Sequence, residues 1–288
     1  MPDYDVIVLG GGSAGTSAGR AAAMAGARTA VVNDGELGGL CILRGCMPTK
    51  AMLASAHVVH EAGRTEPFGV DLEGRVVPRF DRIMARKDRL VERFKRAKVA
   101  SVEAQEFDLL PGRASFEPGG GVAVDGRVLT ARRYVIATGS VPQVPPVPGL
   151  DDVPYLTSDD VMELTAPPAS LVVYGAGPIG LEMAQFFARI GTEVLLVVRS
   201  PLLHHYDLEC GVELAHALSS ESNLELAVPA TLAGVERSGS GIRVRIESEG
   251  KSRERKADAV LMATGRRAAL DDMGLEHVGL DPRGDYLS

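Results

Sequence analysis

An internal repeat limits what this chain can fold into more than any other feature. DVIVLGGGSAG (5–15) and SLVVYGAGPIG (170–180) each run from an apolar, β-branched stretch into a glycine-rich turn, and a helical stretch follows. Gly10 and Gly26 are 16 positions apart, as are Gly175 and Gly191, and the two copies begin 165 residues apart. A second strand follows each later glycine: ARTAVV (27–32) and TEVLLVV (192–198). These are two βαβ units, and strands without polar alternation suit a parallel sheet covered on both faces. YVIATGS (134–140) and AVLMATGRR (259–267) both end a short apolar strand in Ala-Thr-Gly, each returning to the sheet of its own half. The expected fold is α/β: two Rossmann-like dinucleotide-binding domains with parallel central sheets and accessory antiparallel strands.

A length of 288 residues suits two such domains. The Pro-rich stretch 141–154 reads as an extended linker, which places a first domain at 1–150 and a second at 151–275. Residues 276–288 read as the start of a return segment to the first domain. Helices are expected over 47–62 and 79–106, and short strands over 107–133 and 234–260.

Composition narrows the function classes. The net charge of -7 favours neither nucleic acid nor an anionic membrane. The N-terminus MPDYDVIVLG has no basic n-region, and no run of about 18 apolar residues offers a membrane span. Three cysteines are too few for a secreted disulfide scaffold. The expected compartment is therefore the reducing cytoplasm, where a close cysteine pair points to catalysis or metal binding.

Gly10, Gly12 and Gly15 fit G-x-G-x-x-G between a strand and a helix. In that pattern the first glycine makes the tight turn, the second admits a pyrophosphate and the third lets helix and strand pack closely. Ser13 and Ala14 open the helix whose N-terminus faces the phosphates. The ribose-binding place at the end of the second strand holds Asn33, then Asp34. Either can meet a ribose hydroxyl, although Asn-Asp-Gly is also a strong turn signal.

GGLCILRGCMPTK (38–50) follows directly. Pro48 sits where a helix starts, so Cys46 falls at a helix N-terminus, where the dipole favours thiolate. Gly38 and Gly39 let the backbone run close to a flat ligand. His57 and His60, three apart on the following helix, could join the cysteines around zinc, but the flanking glycines have no role there and no metal is expected. The stretch fits G-G-x-C-x-x-x-x-G-C-x-P-[ST]-K and resembles the active-site segment of the large flavoprotein disulfide reductases, the family of dihydrolipoamide dehydrogenase, glutathione reductase and mercuric reductase. The resemblance extends over the whole chain and the order of its motifs. It implies bound FAD, with Cys41 as the interchange thiol that attacks substrate and Cys46 as the thiol that contacts the flavin.

The resemblance assigns the second turn, Gly175, Gly177, Ile179 and Gly180, to the nicotinamide dinucleotide. It pairs Glu182 with Lys50 beside the flavin. Gly112 and Ala114 resemble the backbone stretch near the adenine. Ala137, Thr138 and Gly139 resemble the segment that closes the FAD domain, and Gly265 lies in the matching segment of the second domain. An acidic residue ending the second strand would favour NAD; here Val198 and Arg199 stand there. A guanidinium suits a 2′-phosphate, with His204 or His205 assisting, so NADPH is favoured over NADH. Pro178 replaces an aromatic residue common in relatives, so no gating residue is assigned.

The implied path runs from NAD(P)H through FAD to a Cys41–Cys46 disulfide, then to a small-molecule or protein-bound disulfide or to Hg(II). In reverse it would oxidise a dithiol. Relatives form homodimers whose C-terminal domain supplies a His-Glu acid–base pair. This chain stops at DPRGDYLS (281–288), in what reads as a strand leading towards that domain, so no catalytic His is named. A different class of reading is a truncated or non-catalytic dinucleotide-binding fragment, or a redox sensor.

Overall fold

The computed structural model describes residues 1–203, 206–283 and 286–287. Chain contacts divide the molecule into two interleaved units: residues 1–47, 89–141 and 266–288, and residues 48–88 and 142–265.

In the first unit, β1 (Tyr4–Leu9), β2 (Thr29–Asn33), β3 (Asp108–Pro111) and β7 (Ala131–Ile136) form a parallel sheet in the order β3-β2-β1-β7. Helix α1 (Ser13–Met24) makes the crossover from β1 to β2. β4 (Ala114–Phe116), β5 (Val122–Val124) and β6 (Arg127–Leu129) form an antiparallel meander between β3 and β7. Successive side chains of a strand point to opposite faces, and both faces here are covered. Ile7, Leu9, Ala30 and Val32 pack with Phe116, Val122 and the returning Met273 and Leu275. Val8 and Val31 pack on Val102 and Phe107. That double burial accounts for strands that read as unbroken apolar runs, at roughly 1.5–3 kcal/mol per large side chain buried. The unit also holds α2 (Gly39–Leu43), the pairing of β8 (Ser140–Pro142) with β16 (Arg266–Ala268), and the short pair β17 (Pro282–Arg283) and β18 (Tyr286–Leu287).

Asp3, ahead of β1, accepts hydrogen bonds from the Thr130 backbone N–H (2.9 Å) and Oγ1 (2.8 Å) just before β7. The Thr130 backbone bond, then its hydroxyl, hold the carboxyl below its ordinary value of 3.8. A depressed carboxyl stabilises the fold above the unfolded value and loses that contribution as pH falls through the folded one. Asp3→Ala is therefore expected to melt below the parent at pH 7. Thermal melts should show the gap narrowing as pH drops below 3.8; a gap independent of pH would refute the assignment.

The second unit repeats the plan. β9 (Ser170–Tyr174), β10 (Glu193–Val197), β11 (Leu224–Ala227) and β15 (Ala259–Met262) form a parallel sheet in the order β11-β10-β9-β15. Helix α6 (Pro178–Arg189) is the crossover, and α7 (Leu208–Ser219) joins β10 to β11. Register repeats as well: Ile7 faces Ala30 and Val172 faces Leu195, 23 residues on in each case. β12 (Thr231–Ser238), β13 (Gly241–Ser248) and β14 (Lys251–Ala257) form the antiparallel meander, and α5 (Ser158–Val161) is one short turn.

Residues 48–88, read from sequence as part of a first domain 1–150, fall in the second unit. They contain nearly all of α3 (Cys46–Ala62) and the start of α4 (Phe80–Glu103). The cause is apolar: Met52, Ala56, Phe80, Ile83 and Met84 share one core with Leu181, Phe186 and Phe187 of α6. Arg86 Nη1 donates to the Ala51 carbonyl (2.8 Å), and the buried Lys87 donates to that of Met162 (2.5 Å). The first unit regains the chain at Arg266, earlier than the return segment 276–288 expected from sequence.

Candidate functional site

The two glycine turns share one geometry. Gly10 and Gly175 have φ of +117° and +110°, a region that L side chains avoid. A Cβ on Gly10 would lie 2.3 Å from the Ala137 carbonyl oxygen, and one on Gly175 2.4 Å from that of Ala263. Each Ala-Thr-Gly segment thus closes over the first glycine of its own turn; Ala137 N–H donates to Leu9 O (2.8 Å) and Ala263 N–H to Tyr174 O (2.8 Å). A Cβ on Gly15 would fall 1.7 Å from Gly10 O, and one on Gly180 2.1 Å from Gly175 O. Here the helix presses directly onto the turn.

Helix α1 starts at Gly12 (φ −73°, ψ −166°) and α6 at Gly177 (φ −70°, ψ 174°), and no side chain caps either. Their first-turn N–H groups therefore point outward from helices of 12 residues each. Ser13 and Ala14 are exposed, and space within 4 Å of a Cβ on Gly177 is open. Uncapped N–H groups at a glycine-lined helix start fit a dinucleotide pyrophosphate at both turns.

The cysteine segment is built against the first turn. Gly39 has φ +64°, and a Cβ on it would stand 2.7 Å from the Gly12 Cα. Helix α2 starts there and carries Cys41, half-buried. Cys46, exposed, is the first residue of α3, so its sulfur lies at the positive end of a 17-residue helix. Lys50 follows one turn later on the same helix, four residues on. Its Nζ pairs with Oε1 of Glu182 on α6, across 132 residues of sequence.

The remaining positions vary. Asn33 is buried and its amide donates to Gly35 O (2.7 Å), the turn-forming role, while Asp34 is exposed. Gly112 N–H donates to Asn33 O (3.0 Å), and Ala114 opens β4. Thr138 is half-buried and Gly139 exposed at the end of β7. Ile179 is half-buried on α6, and Gly265 is exposed with φ +142°. Val198 is a core residue, 3% exposed, whose N–H donates to Ala227 O (2.9 Å). A base or ribose could meet only its backbone. Arg199, next along, is exposed. His204 and His205 lie outside the described residues.

Sequence reading missed Lys98. It reaches from α4 to donate to Thr16 Oγ1 of α1 (2.6 Å), and burial lowers its pKa. Only the basic character of α4 hinted at it. His57 and His60 part company: the exposed His57 faces Glu61 (3.8 Å), and His60 turns to Glu221 (3.4 Å). Among the described residues no group of three His, Cys, Asp or Glu side chains is arranged around a metal-sized point.

The chain is 34% identical to a mercuric reductase of Bacillus cereus over 99% of its length and 46% of the relative's. It is 35% identical to a mercuric reductase of Staphylococcus aureus, covering 53% of that protein. Identity is 31% with a dihydrolipoyl dehydrogenase of Acholeplasma laidlawii, over 97% of this chain and 82% of the relative. The chain thus spans about half the length of the mercuric reductases it matches. The family model for pyridine nucleotide-disulphide oxidoreductases matches residues 4–287, and the chain belongs to that family.

Proposed function

We propose that this chain is the electron-transferring part of an FAD-dependent, NAD(P)H-linked disulfide oxidoreductase in which Cys41 and Cys46 cycle between disulfide and dithiol. The observation that carries the reading is the Lys50–Glu182 pair. Lys50 stands one helical turn after Cys46, and its carboxylate partner stands in the first turns of α6, beyond the second glycine turn. When bound, FAD would relay two electrons from the nicotinamide to the sulfur pair.

The first turn (Gly10, Gly12, Ser13, Ala14, Gly15) would hold the FAD pyrophosphate, with the Asn33–Asp34 and Gly112–Ala114 backbone beside the ribose and adenine. The second turn (Gly175, Gly177, Ile179, Gly180) would hold the nicotinamide dinucleotide. Lys50 supplies a fixed positive charge where negative charge develops on reduction, and Glu182 keeps the ammonium placed. Two electrons and one proton open the disulfide to a thiol and a thiolate. Cys41, on the short helix α2, then attacks a substrate disulfide or ligates Hg(II). Relatives named mercuric reductase and dihydrolipoyl dehydrogenase support both of these substrate classes. The assembly read from the family is a homodimer in the cytoplasm.

The test is anaerobic titration of FAD-loaded protein with NADPH and with NADH, counting thiols. Two new thiols per nucleotide oxidised are expected, mapped by alkylation to Cys41 and Cys46. Nucleotide oxidised without thiol release would overturn the reading. Oxidised lipoamide, glutathione disulfide and Hg(II) as final acceptors identify the substrate class. NADPH is the expected donor, because the exposed Arg199 can fork onto a 2′-phosphate. Arg199→Glu should shift the NADPH/NADH ratio of kcat/KM by about tenfold or more towards NADH, the scale of one lost charge-assisted contact; an unchanged ratio would remove Arg199 from the site.

A further inference from the structure

Helices α3 and α6 are tied together at two places, and only one of them belongs to the site described above. Near their starts Lys50 meets Glu182. Near their ends lies a second, more buried cluster. Glu221, in the turn after α7, has a side chain 8% exposed. Arg189, near the end of α6 and 14% exposed, sets both Nε and Nη2 2.7 Å from Glu221 Oε1. Gln185 Nε2 lies 3.5 Å from the same oxygen. Oε2 is left to His60 of α3, 17% exposed, whose Nδ1 is 3.4 Å away. On the other side of the ring, Nε2 is 3.1 Å from Arg64 Nη1.

The donors fix the state of the imidazole. A guanidinium can only donate, so Nε2 accepts and Nδ1 carries the proton towards Glu221. Both carboxylate oxygens of Glu221 then face a donor, and three segments meet on one carboxylate. Removing one member of such a buried cluster leaves the others unpaired, so it holds its geometry far more firmly than an exposed pair. Lys50, by contrast, is 61% exposed and Glu182 30% exposed. A long, exposed lysine has many rotamers, and its pairing depends on where its helix is held.

From these two contact points we propose that His60 is a positioning residue: bound through Glu221 to Arg189, it pins the far end of α3 alongside α6 and so keeps Lys50 opposite Glu182. Ten residues separate the two ties on α3 and seven on α6, counted in the same direction along both chains. Two ties a few turns apart fix the slide and the rotation of one helix against another, which a single exposed ion pair cannot do. The inference rests on the reading of Lys50–Glu182 as part of the site, but its test needs neither flavin nor turnover.

The readout is the acetylation rate of Lys50 by an N-hydroxysuccinimide ester, followed by peptide mass spectrometry on the full chain, with exposed Lys251 as internal reference. Glu182→Gln should raise the Lys50 rate about threefold, the scale of one exposed ion pair. His60→Leu and Glu221→Gln should each raise it by a similar factor. Adding Glu182→Gln to His60→Leu should give no further rise, because both remove the same contact. His60→Asn, whose amide can stand in for Nδ1–H, should restore the parent rate. A Lys50 rate unchanged in both His60→Leu and Glu221→Gln would sink the proposal. So would an equal rise at Lys251, which marks general loosening. If His60→Leu does not fold, Glu221→Gln and the Asn variant decide. Loss of thiol release with the Lys50 pattern intact would count against the proposed function alone.

Discussion

Gly15→Ala is expected to abolish stable folding of the first glycine turn, and with it the retention of FAD. The new methyl carbon would sit 1.7 Å from the Gly10 carbonyl oxygen, and both atoms are fixed by backbone. Gly10 cannot retreat, because its own Cα faces the Ala137 carbonyl. Helix α1 must lift off the sheet, at about 3–5 kcal/mol, the range of severe overpacking. For a unit of this size that lowers Tm by about 10 °C or more. Gly180→Ala should behave alike in the second unit, at 2.1 Å from Gly175 O. Gly177→Ala is the contrast. Its φ is −70° and nothing lies within 4 Å of the new Cβ, so the melting temperature should hold. The methyl instead enters the space assigned to the dinucleotide, and NADPH affinity should fall about tenfold, a cost of about 1.4 kcal/mol. Calorimetry and nucleotide fluorescence titration separate the two effects. A Gly15→Ala protein that melts with the parent and keeps its flavin would show that the turn does not seat the cofactor as described.

Cys46→Ser and Cys41→Ser should each reduce disulfide turnover by at least about a thousandfold, as loss of a nucleophile commonly does. They should differ in what survives. Without Cys46, no thiol stands at the start of α3, and the remaining Cys41 should not accept electrons as half of a pair. Without Cys41, the exposed Cys46 should still alkylate readily, while substrate exchange is lost. Single-turnover thiol counts after NADPH addition should fall to zero new thiols in both. Release of two thiols in either variant would exclude the pair, and would turn attention to Cys210, exposed on α7.

Much of this was legible in the sequence because it is local. A glycine that must have positive φ, or that touches backbone, leaves the same mark in every βαβ unit. Gly10, Gly15, Gly175 and Gly180 therefore announce both turns, and the equal spacing announces the shared register. Helices α3 and α4 were legible as helices too. Their docking was not: an apolar stripe of Met52, Ala56, Ile83 and Met84 states that it will be buried, and not against which sheet. Asn33 shows the same limit at smaller scale, since a ribose ligand and a turn-former have one residue signature, and its amide bond to Gly35 O satisfies the second without excluding the first. Lys98 with Thr16, and His60 with Glu221, join residues 82 and 161 positions apart, beyond the reach of any spacing rule.

The interleaved course of the chain sets the order in which it can be made. A ribosome delivers β1 and β2 early, but Met273 and Leu275, which complete the core beneath Phe116, follow only after residues 142–265. Until then one apolar face of the first sheet stands open, while residues 142–265 can already collapse on their own parallel sheet. The first sheet is thus completed only after the second unit's residues have been made, and the nascent polypeptide carries a sticky sheet face until residues 273–275 emerge. Production in cells should accordingly respond to chaperone supply and to slower elongation more strongly than the resting stability of either sheet suggests.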